Sequence, residues 1–540
     1  MKNVSILFVV FVLSIFNASA QLEDAWVYFS DKDNVSASLA NPNTILTQKA
    51  IDRKNAHNIT IDERDVPVNE AYISQVKDVD GITVLAKSKW FNAVHVRGSE
   101  AQIQGLTSLG FINTIDFADK SLNAKQMVNN KQDKQFKLES ALTSFDYGDS
   151  GNQIEMFKGD VLHLEDYTGT GMTVAVLDAG FPNVNTMTSF KRLRDAGNLL
   201  GSYDFVNRDV NVYTGTASNH GTLVLSDMAG FIESDFVGTA PDASYYLFIT
   251  EDASDENPVE ESYWVEAAER ADSLGVDVIN TSLGYKDYGP NYTRYSHSDA
   301  DLDGFTTYIT RGANIAFEKG MLLVTSAGNS GSDGVGAPAD SPNVFSIGAV
   351  NPSGEYAYFS SVGSAFQPTQ KPDVVAQGFP SVVILENNNI VNANGTSFSS
   401  PIIAGGMVCL WQALPEKSNA EIMQLVRESA SQYNAPDNFL GYGIPNLEMA
   451  LNTALSVEHE VANNAFKMYP NPVSNKLYIE LPSDDEIVSV ALYDVLGKEI
   501  SAYQMASYQH EINTMALSNG VYFIRVESST ISKTFKIIKQ

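Results

Sequence analysis

The feature that most narrows the folding options is a series of short, unbroken apolar runs in the middle of the chain. They are Thr173-Val174-Ala175-Val176-Leu177, Tyr245 to Ile249, Val276 to Ile279, Met321 to Ala327 and Val344 to Val350. A strand with one wet face alternates polar and apolar residues. An unbroken run is dry on both faces, as in a parallel sheet covered by helices. Between the runs, Tyr263, Trp264, Ala267, Ala268, Ala271 and Leu274 recur at helical spacing and stop at Gly275. Ser418-Asn419-Ala420-Glu421 is a capping box that opens another helix. Residues 148–455 are therefore expected to form an α/β domain, a parallel sheet flanked by helices.

The flanks read differently. Lys2, the apolar run Ile6 to Phe16 and Ala18-Ser19-Ala20 have the form of a signal peptide, 1–20, cut before Gln21. That run is well short of the ~20 residues a bilayer-spanning helix needs, and no other run approaches that length, so no transmembrane segment is expected. In residues 21–118, Trp26 to Phe29, Gly81 to Ala86, Phe91 to Val96 and Gly110 to Ile115 read as strands. Thr47 to His57 and Ala101 to Leu109 read as helices. The order strand-helix-strand-strand-helix-strand is the split βαβ, ferredoxin-like α+β arrangement. Residues 119–147, rich in Lys, Asn and Gln, read as a linker. In 465–540, Lys476 to Leu481 and Lys533 to Ile537 alternate, and Leu496-Gly497-Lys498 and Ser518-Asn519-Gly520 supply turns. This is the signature of an all-β sandwich module.

Charge and cysteine content remove whole classes of function. The chain has 35 Lys+Arg against 65 Asp+Glu, a formal net charge of -30. Nearly all of that excess lies on 141–455. A nucleic-acid partner is excluded, because phosphate binding runs on Lys and Arg. One cysteine, Cys409, excludes an internal disulfide and a cysteine-built zinc cluster. It sits on the apolar stretch beyond Ser397 and reads as a buried structural thiol. Export with a single cysteine suits a bacterial secreted protein.

Three short stretches of the α/β region carry chemistry. Asp178 ends the run Val174 to Leu177 and is followed by Ala179-Gly180. Strand carboxyl ends are where open α/β sheets keep their ligands. His220, in Asn219-His220-Gly221-Thr222, begins an apolar helical stretch. Ser397, in Gly395-Thr396-Ser397-Phe398-Ser399-Ser400-Pro401, opens a helix whose N-terminal dipole and free N–H groups favour a developing oxyanion. Taken singly, these are a turn aspartate, a loop histidine and a Ser/Thr N-cap. Taken together, they are an Asp, a His and a Ser at glycine-flanked element boundaries, in that chain order.

Those stretches resemble the aspartate, histidine and serine motifs of the subtilisin-like serine peptidases, the subtilase or S8 family. Val324 to Gly331 resembles the segment with the family's oxyanion-hole asparagine, here Asn329. Val278 to Gly284 resembles the strand that pairs with the substrate backbone, and Gly441 to Asn446 the stretch that closes the catalytic domain. The resemblance implies that Ser397 is the nucleophile, His220 the general base and Asp178 the residue that orients it. Asn329 would share the oxyanion with the Ser397 N–H. Ser282, Leu283 and Gly284 on one side and Ser326, Ala327 and Gly328 on the other would wall the substrate cleft. No cofactor is required by that chemistry. Structural calcium is left open with no residue assigned. The run Asp299-Ala300-Asp301-Leu302-Asp303-Gly304 looks like half of a calcium loop, but Thr310 stands where a bidentate Glu belongs, so a solvated acidic loop is the favoured reading. The chain departs from the family pattern at Ala179, Phe398 and Tyr285, and is extended from Tyr285 to Gly312.

Residues 21–118 resemble a subtilase propeptide, which implies a folding aid and inhibitor, with the linker as its processing zone. Residues 465–540 resemble the type A C-terminal sorting domain of type IX secretion in Bacteroidota. The carrying stretches are Tyr469-Pro470-Asn471-Pro472, Leu492 to Lys498, Leu517 to Phe523 and Lys533 to Gln540. A carbohydrate-binding or adhesive module is the alternative. The expectation is a serine endopeptidase, secreted or on the outer-membrane surface. Its partners would be protein or peptide substrates, its own propeptide and the type IX machinery. The competing reading is an inactive subtilase-fold binding protein. A lipase or esterase would want Gly-x-Ser-x-Gly, which 395–399 does not supply.

Overall fold

The computed structural model describes residues 21–123, 145–465, 467–480, 488–494, 498–505, 511–527 and 532–540. The expected signal peptide, most of the expected linker and the turn at Leu496-Gly497 lie outside them. The chain divides into two compact units, 1–448 and 449–540.

The first unit opens with an antiparallel sheet of β1 (Leu22–Phe29), β2 (Thr83–Ser88), β3 (Ala93–Ser99) and β4 (Ile112–Phe117), in the order β2-β3-β1-β4. Its core joins Ala25, Val27 and Phe29 of β1 with Val94 and Val96 of β3. Helical residues Ile73, Val76, Ile103 and Leu106 complete it. One expected element has a different role. The helix Glu70–Lys77, which is not among the expected elements, packs into this core. The expected helix Thr47 to His57 forms as Gln48–Ala56, but it docks on the α/β region instead. Thr47 N–H donates to Ser273 O at 2.9 Å. Arg53 and Lys54 reach Asp272 Oδ1 at 2.6 and 2.7 Å. Lys54 also meets Asp65, which in turn meets Lys319.

The sheet docks on two helices, Val259–Leu274 and Tyr308–Glu318. Trp26 stacks on Tyr308 with ring centroids 4.5 Å apart. Trp26 Nε1–H donates to Ser262 Oγ at 2.8 Å, and His95 Nδ1 lies 2.8 Å from the same hydroxyl.

The expected runs become strands of one parallel sheet. In chain order the region holds β5 (Thr173–Asp178), β6 (Leu199–Asp204), a short hairpin β7 (Phe231–Ile232) and β8 (Phe236–Val237), and β9 (Ser244–Ile249). Then come β10 (Val278–Thr281), β11 (Leu322–Ser326), β12 (Phe345–Val350), β13 (Val374–Gln377) and a hairpin of β14 (Ser381–Ile384) and β15 (Ile390–Ala393). The sheet order is β13-β12-β11-β10-β5-β9-β6, every pair parallel. All of β5 is buried, as an unbroken apolar run requires. From β5 the chain goes to the edge strand β6, comes back between them as β9, then crosses to β10 on the other side of β5 and runs on to β13. The crevice beyond the carboxyl ends of β5 and β10 is therefore the topological switch point, where such sheets bind ligands.

The helix Thr396–Ala413 packs across β10 to β13 and against the helix His220–Ala229. It is buried on nearly every side, which its apolar composition permits. Cys409 is buried on it, with Sγ 3.3 Å from Thr239 O. The last helix, Leu447–Ala465, carries the chain past the expected domain end at 455.

The second unit contains β16 (Lys467–Tyr469), β17 (Lys476–Glu480), β18 (Val488–Tyr493), β19 (Glu499–Met505), β20 (Glu511–Asn513), β21 (Gly520–Glu527) and β22 (Ser532–Lys539). They form sheets β16-β17-β20 and β19-β18-β21-β22. Leu477, Ile479 and Ile512 of one sheet share a core with Val490, Leu492, Ile524, Val526 and Ile537 of the other. That is the expected sandwich. Among the described residues no helix is long and apolar enough to cross a membrane.

Candidate active site

Asp178 is the last residue of β5 and is 0% exposed. His220 is the first residue of its helix. Two glycines let the strand end and the helix start approach. A Cβ on Gly180, whose φ is 155°, would lie 2.5 Å from Ser218 O. A Cβ on Gly221 would lie 2.6 Å from Gly180 O and 3.0 Å from Asp178 Cβ. The result is a 2.7 Å contact between His220 Nδ1 and Asp178 Oδ1, which also accepts the Ala179 N–H at 2.7 Å. With Nδ1–H committed to a buried carboxylate, Nε2 is the free base of the ring. The His220 side chain stays 30% exposed. Burial by itself would lower the His220 pKa, but the charge and hydrogen bond of Asp178, with the charge of Glu251, raise it above the ordinary histidine value.

Ser397 is the second residue of its helix and 8% exposed. Its Oγ donates to Ser282 O at 3.3 Å. Among the described residues no hydrogen bond joins Oγ to His220. Phe398 sits with its ring centroid 5.9 Å from that of His220.

Asn329 is exposed. Its Oδ1 accepts the Thr396 N–H at 2.9 Å and the Thr396 hydroxyl at 3.0 Å. Both partners are donors to the same oxygen, so the amide nitrogen Nδ2 is left to donate elsewhere. It faces Gly395, where a Cβ would lie 3.6 Å away. The Ser397 N–H lies in the first helical turn, where no intrahelical acceptor exists.

The two expected walls leave neighbouring strands at the same end. Ser282, Leu283 and Gly284 follow β10 and grade from buried to exposed. Ser326 ends β11, and Ala327 and Gly328 follow it. Tyr285 and Ala337 exchange backbone hydrogen bonds of 2.8 and 2.9 Å, which closes the loop around Val335 between the walls. Ala327, Val335 and Ala339 form a small apolar cluster of their own there.

Several neighbours escaped the sequence reading. Glu251 lies just beyond the end of β9, the strand beside β5, and its Oε2 accepts the Tyr285 hydroxyl at 2.9 Å. Glu251, Glu256 and Glu260 bring carboxylate oxygens within 4.8 Å of one another. Burial first, then mutual repulsion, pushes Glu251 up to about 8 and Glu260 to about 10. The acidic run from Asp299 to Gly304 does not converge. Asp299 pairs with Lys286, Asp301 caps at Ser298 and pairs with Lys120, and Asp303 caps Phe305 and Thr306.

Residues 169–443 match the model of the subtilase family. Residues 24–135 match the peptidase S8 propeptide domain of Bacteroidota, and 467–540 a secretion system C-terminal sorting domain. Subtilisin NAT of Bacillus subtilis subsp. natto is 31% identical over 302 residues, 55% of this chain and 70% of that one. Subtilisin E of Bacillus subtilis (strain 168) is 30% identical over the same shares. Among solved structures, MycP1 with its N-terminal propeptide removed is 21% identical, with a TM-score of 0.44, covering 56% of this chain and 96% of that one.

Proposed function

The chain belongs to the subtilase family, and from that membership we infer how its residues divide the work of peptide hydrolysis. It is a serine-type endopeptidase made with its own propeptide, and its C-terminal domain directs it through type IX secretion to the cell surface or beyond. We assign Ser397 as nucleophile, His220 as general base and acid, Asp178 as the group that holds and charges the imidazole, and Asn329 as oxyanion donor.

The Ser397 hydroxyl turns from Ser282 O to His220 Nε2. Its proton passes to Nε2 as Oγ attacks the scissile carbonyl carbon. Asp178 holds Nδ1–H throughout and stabilises the imidazolium, without itself taking a proton. Asn329 Nδ2 and the Ser397 N–H meet the oxyanion of the tetrahedral intermediate. His220 then gives its proton to the leaving amine, the C–N bond breaks, and an acyl-enzyme remains on Oγ. Water, deprotonated by the same Nε2, releases the acid. An extended protein or peptide substrate lies along Ser282 to Gly284 and Ser326 to Gly328. Side chains and backbone supply every acid, base and oxyanion donor, so the chemistry needs no cofactor, and a chelator leaves the chemical step intact.

The 2.7 Å contact between His220 Nδ1 and the fully buried Asp178 carries this reading. It also weighs against an inactive binding protein, which has no use for a buried carboxylate on an otherwise accessible imidazole. An activated ester tests it. A pre-steady-state burst equal to the enzyme concentration, absent from Ser397→Ala, is the expected result. A burst that survives in Ser397→Ala contradicts it.

A further inference from the structure

The helix that presents the nucleophile has a fault in its first turn. In an α-helix the carbonyl of residue n accepts the N–H of residue n+4. For Ser397 that residue is Pro401, inside the helix Thr396–Ala413, and proline has no N–H. The proline ring also crowds the carbonyl four residues back. The backbone of the nucleophile therefore lacks its ordinary helical restraint.

A side chain from the neighbouring strand end supplies a substitute. Ser282 Oγ donates to Ser397 O at 2.8 Å. The hydroxyl is aimed by Asn280, whose Nδ2 donates to Ser282 Oγ at 3.4 Å and so leaves the serine proton free to point at Ser397. The orientation of that amide is fixed in turn, because Asn280 Oδ1 accepts the Ser400 hydroxyl at 3.1 Å. Asn280 and Ser400 are both 0% exposed and Ser282 is 5% exposed, so water competes poorly for these bonds. The path leaves the helix at Ser400, passes through β10 and returns at Ser397.

We propose that Ser282 and Asn280 are positioning residues for the nucleophile, with the Ser282 hydroxyl replacing the backbone donor that Pro401 removes. This rests on Ser397 being the nucleophile and adds a role for the Ser282 side chain that its place in the substrate wall does not require. Two hydrogen bonds join residues 282 and 397, and they behave differently in the reaction. The one from Ser397 Oγ to Ser282 O breaks when the nucleophile turns to His220. The one from Ser282 Oγ to Ser397 O persists and holds the carbonyl side of the residue whose Cα bears the attacking side chain and whose own N–H is the oxyanion donor. Small displacements of reacting groups have large kinetic costs, so the loss falls on turnover rather than on binding.

A cycle of Ser282→Ala and Pro401→Ala in the matured enzyme tests this. Ser282→Ala lowers kcat by about tenfold, with KM held within about twofold. Pro401→Ala restores an N–H at the right place, so the double variant recovers most of that loss. Ser282→Thr, which keeps the hydroxyl, stays within about threefold of wild type in kcat, and it serves if Pro401→Ala fails to mature. A Ser282→Ala enzyme with unchanged kcat overturns the proposal. So does a double variant no faster than Ser282→Ala, or a threonine variant as slow as alanine. Ser397→Ala measured alongside separates the two levels. If it still turns over, the nucleophile assignment fails; if it is inactive while the cycle is flat, only the positioning role fails.

Discussion

His220 Nδ1 lies 2.7 Å from Asp178 Oδ1, a partly exposed imidazole held by a carboxylate that has no exposed surface. Burial alone would make the ring a weaker base. The Asp178 charge and hydrogen bond outweigh it, so the imidazolium is favoured. In the proposed mechanism His220 must be neutral to accept the Ser397 proton. Activity is therefore present above the raised pKa and lost as pH falls through it. The acid limb of kcat/KM is expected above the ordinary histidine value of about 6.5. Asp178→Asn removes the charge, moves that limb to lower pH and cuts kcat by roughly 10⁴. A pH–rate profile of both enzymes checks this, and an unmoved limb contradicts the coupling.

Thr396 donates twice to Asn329 Oδ1, which leaves Nδ2 as the amide's available donor. Asn329→Ala is expected to lower kcat by about 10²–10³ while KM stays near wild type. Steady-state kinetics on one peptide substrate decide it. A loss confined to KM would assign Asn329 to ground-state binding instead.

Lys54 of the propeptide region is fully buried between Asp272 of the catalytic region and Asp65. Removing one partner from a buried ion network leaves uncompensated charge. In the uncleaved Ser397→Ala chain, Lys54→Met is expected to lower the unfolding free energy by about 3–5 kcal/mol. Denaturant melting of the two chains measures it. Equal midpoints would mean that the network does not hold the propeptide in place.

The acidic surplus of 65 Asp+Glu over 35 Lys+Arg sets up a field around the enzyme. If it steers substrate, kcat/KM for a cationic peptide falls with added salt while that for an anionic peptide rises. Parallel salt dependences for the two peptides would remove steering from the account.

The sequence was most readable where geometry is local. An unbroken apolar run ending in Asp178 and Ala179-Gly180 specifies a buried strand, its end and a sharp turn at once. The Asn219–Thr222 and Gly395–Pro401 stretches likewise carry their own punctuation, so the site could be assembled from three short pieces. Long-range choices were not readable. Helical spacing marks Gln48–Ala56 as a helix but does not say which surface it covers, and it covers the catalytic region, while Glu70–Lys77 fills the propeptide core. The run Asp299 to Gly304 has the composition of a cation loop, yet its carboxylates are spent on Lys286, Ser298, Lys120 and a turn. The link from Asn280 through Ser282 to Ser397 joins residues more than a hundred positions apart. Pro401 shows in the sequence that a donor is missing, but only the fold shows what replaces it.

The most direct test is covalent. Treat the matured enzyme with a fluorophosphonate, then locate the adduct by intact mass and peptide mapping. The account predicts one adduct per chain, on Ser397, with hydrolysis lost in proportion to labelling and neither labelling nor turnover in Ser397→Ala. Labelling on another residue, or peptide hydrolysis that persists in Ser397→Ala, would contradict it.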